Sequence, residues 1–207
     1  EGRGKVRGDS IGSRVFYKGE KSSELDLSYI KGSNINKYSI SSPNNFLLHN
    51  WKEYLNENDT FRFSEDLLKS KEKIVYRQTS NQIIASLDTN QNLCDKTVHI
   101  IINKDNNISL KYLLSILNSK LMNYYFKSYK EEEGRAFAQV KTVDIKNLPF
   151  VFEEKHSLSL DTKVAQILSL KKDNSASDTT ALEREIDVMV YELYDLTQKE
   201  IEIVENS

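Results

Sequence analysis

Lys73-Ile74-Val75-Tyr76-Arg77-Gln78-Thr79-Ser80-Asn81-Gln82-Ile83-Ile84-Ala85 decides how this chain folds, because two β-rich runs, residues 74–76 and 83–85, flank a polar loop. β-Branched and aromatic residues suit a pleated, packed surface, so the arrangement predicts a β-hairpin. Downstream, Thr97-Val98-His99-Ile100-Ile101-Ile102 is the clearest strand, and Asn106-Asn107 marks a turn. Ser109 then opens a helix with apolar positions at Tyr112, Leu113, Ile116, Leu117, Leu121, Tyr124 and Tyr125, a spacing that predicts one buried face. Glu131-Glu132-Glu133-Gly134 ends that helix in a loop, and residues 143–148 lead to Pro149, which demands an extended approach.

Upstream, residues 15–17 and 46–49 read as short strands, and Gly32 supplies a turn between Ile30 and Tyr38. Residues 51–55 fit either state, and Ser64 is placed to cap a short helical turn over 64–68. The first 15 residues, rich in Gly and Arg, read as extended or frayed. Beyond Pro149, helices are expected over 162–172 and 180–194, joined by Asn174-Ser175-Ala176-Ser177-Asp178. Leu182, Ile186, Met189, Val190 and Leu193 form a single stripe suited to a helical hairpin or a partner helix. Irregular alternation of strands and helices predicts an α+β fold: a mixed, mainly antiparallel sheet body with a packed helix over residues 1–155, then a helical hairpin over 156–207.

The 207 residues suffice for one domain of ordinary size with an appendage. Glu rather than Met in first position fits a piece of a longer protein. No uncharged apolar run is long enough to span a membrane. One cysteine, Cys94, excludes an internal disulfide and a Cys-rich zinc site, so a reducing cytoplasm is the natural setting. The net charge of -2 conceals an asymmetry: residues 161–207 hold five Lys/Arg against eleven Asp/Glu, which leaves the rest mildly basic. Such a body permits DNA binding without demanding it.

Catalytic machinery is not visible. There is no Gly-rich phosphate loop, no pair of histidines at helical spacing and no Gly-x-Ser-x-Gly elbow. His49, His99 and His156 are far apart, and Glu131, Glu132 and Glu133 point in different directions as consecutive residues must. The loop after Tyr76 differs in kind. Arg77 and Gln78 carry forked side chains able to make paired hydrogen bonds to guanine and adenine, and Thr79, Ser80 and Asn81 add short donors suited to phosphate. A second loop, residues 127–141, gathers Lys127, Lys130, Arg135, Gln139 and Lys141 around Phe137, with Gly134 allowing close backbone approach. On chemistry alone the first loop reads as a polar hairpin tip exposed to water, and the second equally as an ordinary helix-to-strand connection. Arg3, Lys5, Arg7 and Arg14 could grip phosphates, although a frayed basic tail is the plainer reading.

A resemblance shifts these odds. Leu117-Asn118-Ser119-Lys120, preceded by a strand and followed by a Gly-containing loop that ends in Leu148-Pro149, resembles the TaqI-like C-terminal specificity (target-recognition) domain of type IIG restriction–modification enzymes and N6-adenine DNA methyltransferases. It is also similar to half of a type I restriction specificity subunit. Lys31-Gly32-Ser33-Asn34-Ile35-Asn36-Lys37-Tyr38 resembles an upstream element of that family, and residues 186–197 resemble an ending common after the domain. The resemblance implies sequence-specific binding of double-stranded DNA by Arg77, Gln78, Thr79, Ser80, Asn81, Lys130, Arg135, Gln139 and Lys141, with no catalytic, cofactor or metal residue in this chain. Methylation, and cleavage where a nuclease is attached, would fall to other domains of the same polypeptide. S-adenosylmethionine, and Mg2+ where cleavage occurs, would belong to them. The methyltransferase motif Asn-Pro-Pro-Tyr is absent, Pro43-Asn44-Asn45-Phe46 having the wrong order. The competing expectation is a protein-interaction module that docks through the stripe from Leu182 to Leu193.

Overall fold

Nine short strands run through the first half of the computed structural model, which describes residues 12, 14–57, 59, 70–104, 107–132 and 139–207. They are β1 (Phe16–Lys18), β2 (Leu27–Ile30), β3 (Ile35–Asn36), β4 (Ser39–Ile40), β5 (Asn45–Leu47), β6 (Lys73–Arg77), β7 (Ala85–Asp88), β8 (Leu93–Cys94) and β9 (Val98–Ile101). Helices follow: α1 (Leu110–Asn118), α2 (Lys120–Glu132), α3 (Thr142–Lys146), α4 (Glu154–Asp173), α5 (Thr180–Leu193) and α6 (Gln198–Glu205). The fold is α+β. The helical turn expected over 64–68 lies outside the described residues.

The predicted hairpin is the centre of the molecule. β6 pairs antiparallel with β7, Tyr76 facing Ala85 and Lys73 facing Asp88, and on its other side with β9. Side chains alternate across this three-stranded sheet. Ile74, Tyr76, Ala85 and Leu87 face one core, which is completed by α1, α2, α4 and α5. Val75 and Val98 face a second core with Val15, Ile30, Ile35, Leu47 and Leu93, under the sheet ordered β1-β5-β2-β8. Burial on both faces explains why Lys73-Ile74-Val75-Tyr76 reads as a continuous run rather than an alternating one. Each fully buried aliphatic side chain there contributes roughly 1.5–3 kcal/mol.

The helix expected from Ser109 through Tyr125 is two helices. Ser109, expected to open the helix, is the N-cap of α1, its side chain accepting from the Lys111 amide at 3.1 Å. The chain then turns extended at Ser119 (φ -64°, ψ 154°) before α2 begins. Three polar groups hold this break. The Asn118 side chain pairs with the outer edge of β7, Oδ1 accepting from Ala85 N and Nδ2 donating to Ala85 O, both at 3.0 Å. Lys37 Nζ donates to Asn118 O at 2.8 Å, a cation at a helix C-terminus. Asp187 of α5 accepts from the Lys120 amide at 2.8 Å, at the start of α2. The break resets the helical phase, so Met122 and Phe126 point inward while Tyr125, expected in the core, is 41% exposed.

The C-terminal helices share the main core with the body. Leu160, Val164 and Ile167 of α4 and Ile186, Val190 and Leu193 of α5 join it, and Leu182 and Met189 pack at its margin. The apolar stripe of α5 is therefore spent inside the molecule. α4 begins eight residues before its expected start, at Glu154. α6 was not foreseen, yet Thr197 and Glu200 form the reciprocal capping box that announces it. Among the described residues no helix is long and apolar enough to cross a membrane, and no group of three or more His, Cys, Asp or Glu is arranged to hold a metal ion.

Asp187 yields a pH prediction. Burial pushes its carboxyl up to about 6, against hydrogen bonding from Lys120 N and the nearby Lys37 and Lys120 charges. With the folded value above the unfolded one, the native state holds a proton that the unfolded state has released between pH 3.8 and about 6. Stability from this group is thus greatest in acid and is lost as pH rises through that window. Asp187→Asn keeps an acceptor for Lys120 N and removes the charge. Relative to wild type, it is expected to gain on the order of 2–3 kcal/mol between pH 4 and pH 7.5. Urea midpoints of both proteins at the two pH values measure this; a constant difference refutes it.

Candidate nucleic-acid interface

The hairpin loop, residues 78–84, is tied at its start to two other segments. Gln78 N donates to Thr97 O at 2.8 Å, and Gln78 O accepts from Val140 N at 2.8 Å. Thr79 forms an antiparallel bridge with Gln139. The first polar loop is thus joined, backbone to backbone, to the end of the second. The join is anchored from beneath, because Val140 is fully buried while Gln139 faces outward. At the far end of the loop, Ile83 N donates to the buried Asn123 Oδ1 at 2.7 Å. A flexible tip would lose recognition geometry on every excursion; this one is held at both ends.

The nine residues selected from the sequence fall into three groups. Thr79, Asn81, Gln139 and Lys141 are exposed around the join, with Gln78 and Ser80 half-buried beside them. Ser80 Oγ accepts from Gln82 N at 3.2 Å, an internal turn contact that shapes the tip. Arg77 and Lys130 are engaged inside the protein. The Arg77 guanidinium donates to Ile35 O at 2.6 Å and to Asn36 Oδ1 at 3.1 Å, bracing β3. Lys130 Nζ sits 2.7 Å from Asp144 Oδ2, with its side chain only 12% exposed. The same carboxylate oxygen accepts from Lys141 N at 2.7 Å, so the pair sets the entry to α3. Arg135, with Gly134 and Phe137, lies outside the described residues, as do Arg3, Lys5 and Arg7. Arg14 is paired with Asp59 at 2.6 Å.

Among the described residues, what remains exposed around the join is a strip of amides and hydroxyls with the cation Lys141. Amide side chains both donate and accept, so such a strip can distinguish one base edge from another.

The described residues thus form an α+β body in which the hairpin loop is joined to the backbone at Gln139 and Val140. The chain belongs to the TaqI-like C-terminal specificity domain family, whose pattern it matches over residues 27–150, from β2 through both loops to Phe150. A Methanocaldococcus jannaschii protein named as a type II restriction enzyme and methyltransferase, RM.MjaORFECS2P, is 28% identical over 199 residues, which span 92% of this chain and 16% of that protein. The chain thus corresponds to about a sixth of that relative. The type IIL restriction–modification enzyme MmeI, solved in complex with DNA, shares the fold at a TM-score of 0.63 and 10% identity, over 94% of this chain and 32% of MmeI.

Proposed function

We propose that the joined loops read base edges of double-stranded DNA and thereby choose the site at which a methyltransferase domain of the same polypeptide modifies adenine at N6. The parent is of the type IIG class, working in the cytoplasm, with S-adenosylmethionine bound outside this chain and Mg2+ where cleavage accompanies methylation. The observation that carries this reading is the pairing of Gln78 and Thr79 with Gln139 and Val140, which joins the first loop to the end of the second, far away in sequence. Gln78, Asn81 and Gln139 are the residues best presented for base contacts, with Thr79, Ser80 and Lys141 placed for phosphates. Arg77 and Lys130 support them from below, and Arg135 is a further candidate on the second loop. Burial of the α5 stripe in the core weighs against docking to a partner protein through that face.

Methylated sites in the genome of a host that expresses the full-length protein test the proposal. Gln78→Ala with Gln139→Ala should relax or alter the modified sequence. Each lost base contact lowers discrimination by about 1–3 kcal/mol, or roughly 5- to 150-fold. An unchanged methylated motif at unchanged rate would remove these residues from recognition.

A further inference from the structure

A polar cleft of about 340 Å³ lies where β1, β5 and the turn after β2 meet. One wall is the end of β1, where Lys18 faces Asn45 across the β1–β5 ladder and Gly19 N donates to Asn44 O at 3.0 Å. The other wall is the turn at Gly32–Asn34. There the Asn34 side chain folds back to accept from Lys31 N at 2.9 Å, and Asn34 O accepts from Ser41 N at 2.8 Å. Lys18 and Lys31 are both exposed into the cleft, and neither is ion-paired among the described residues. Ser33, Ser42 and the amides of Asn44 and Asn45 supply further donors, and no carboxylate lines it among the described residues. Two ammonium groups with hydroxyl and amide donors and no acid match the oxygens of a phosphodiester.

The cleft is linked rigidly to the reading surface. Gly32 N donates to Thr97 Oγ1 at 2.8 Å, and Thr97 O accepts from Gln78 N at 2.8 Å. The approach of Gly32 to Thr97 is so close that a Cβ at position 32 would lie 3.0 Å from Thr97 O, which explains the glycine after Lys31. One residue, Thr97, therefore sets the spacing between the Lys31 turn and the base-reading loop.

We propose that the Lys18–Lys31 cleft binds the phosphate backbone of the same duplex, supplying a sequence-independent grip beside the amide-rich loop residues. The inference rests on the DNA-reading proposal above, and its test separates the two. Binding of the full-length protein is measured over a range of KCl, on a duplex carrying the methylated site and on a scrambled duplex of equal length. Lys18→Ala with Lys31→Ala should weaken both complexes alike and lower the salt slope by about 1.8, as loss of two phosphate contacts requires. The ratio of target to scrambled affinity should stay unchanged, and Lys18→Arg with Lys31→Arg should keep the wild-type slope. Lys199→Ala, on the exposed face of α6, serves as the control for bulk charge. Wild-type slope and affinity in the double alanine variant would overturn the cleft while leaving the reading loops standing. An equal fall in slope with Lys199→Ala would also overturn it. Failure of the wild-type protein to bind either duplex would overturn both proposals.

Discussion

Replacing Lys73 by Met is expected to destabilise the protein by about 3–5 kcal/mol, enough to threaten folding altogether. Lys73 opens β6 with its side chain wholly buried, and its Nζ lies 2.8 Å from Asp88 Oδ2, which is equally buried on β7. The Asp88 carboxylate also accepts from Asn90 N at 2.9 Å, Asn92 N at 3.0 Å and Asn92 Nδ2 at 2.9 Å, and so shapes the connection to β8. Removing the ammonium strands a buried charge at the end of β7; methionine supplies volume but no counter-charge. Adding Asp88→Asn removes that charge and keeps one oxygen for the backbone donors, so the double variant should recover part of the loss. Urea unfolding of the four proteins in this cycle gives the coupling. A loss below 1 kcal/mol for Lys73→Met, or a double variant no better than the single, would contradict the account.

The second large effect is expected at Asp26, on the other side of the molecule. Its carboxylate is 2% exposed and accepts five hydrogen bonds: from Tyr17 Oη at 2.6 Å, Ser22 Oγ at 2.7 Å, Ser23 N at 3.0 Å, and His49 N and Nδ1 at 2.9 Å each. Burial alone would raise this carboxyl; hydrogen bonds from Tyr17, His49 and Ser22 prevail and hold it well below the usual carboxylate range. With the folded value depressed, the stability it contributes is complete above its ordinary value of 3.8 and is lost as pH falls below that. Asp26→Ala strands several donors at once and should cost about 3–4 kcal/mol at pH 7. Because Tyr17 precedes Lys18 and Ser22 follows Gly19, the same change should also loosen the β1 wall of the phosphate cleft. Asp26→Asn should fall between the two and blunt the acid sensitivity. Thermal melts of the three proteins at pH 3 and pH 7 test this; parallel shifts at both pH values would count against it.

The hairpin was legible because both signals that define it are local: β-rich runs of the right length and a polar loop between them. Its burial on two faces was not drawn from the sequence, although Lys73-Ile74-Val75-Tyr76 runs without the alternation of a half-exposed strand. The break at Ser119 was hidden, since apolar spacing continues across it to Tyr125 and the residues that enforce it, Ala85, Lys37 and Asp187, come from remote parts of the chain. The α5 stripe was visible as a stripe, but periodicity cannot say what covers it. α6 was missed although its capping box, Thr197 and Glu200, is a local signal.

At the candidate interface, residue type and position picked out two loops that the structure joins through Thr79 and Gln139. Nothing in the sequence distinguishes an arginine that meets solvent from one that braces a neighbouring strand, so Arg77 and Lys130 could not be separated from Gln78 and Gln139. The bridge between Thr79 and Gln139 is too short to leave a pattern. Lys18 and Lys31 were passed over because each is an ordinary surface lysine until β1 and the Gly32 turn are brought together.

The shared core of body and C-terminal helices bears on any attempt to move this specificity into another enzyme. A transplant cut at residue 155 would carry both reading loops and the cleft, yet would bare Tyr112, Leu114 and Leu117 where α4 and α5 now lie. Exchange of recognition between enzymes therefore has two workable scales: a handful of loop positions set into an unaltered frame, or the entire unit together with its trailing helices.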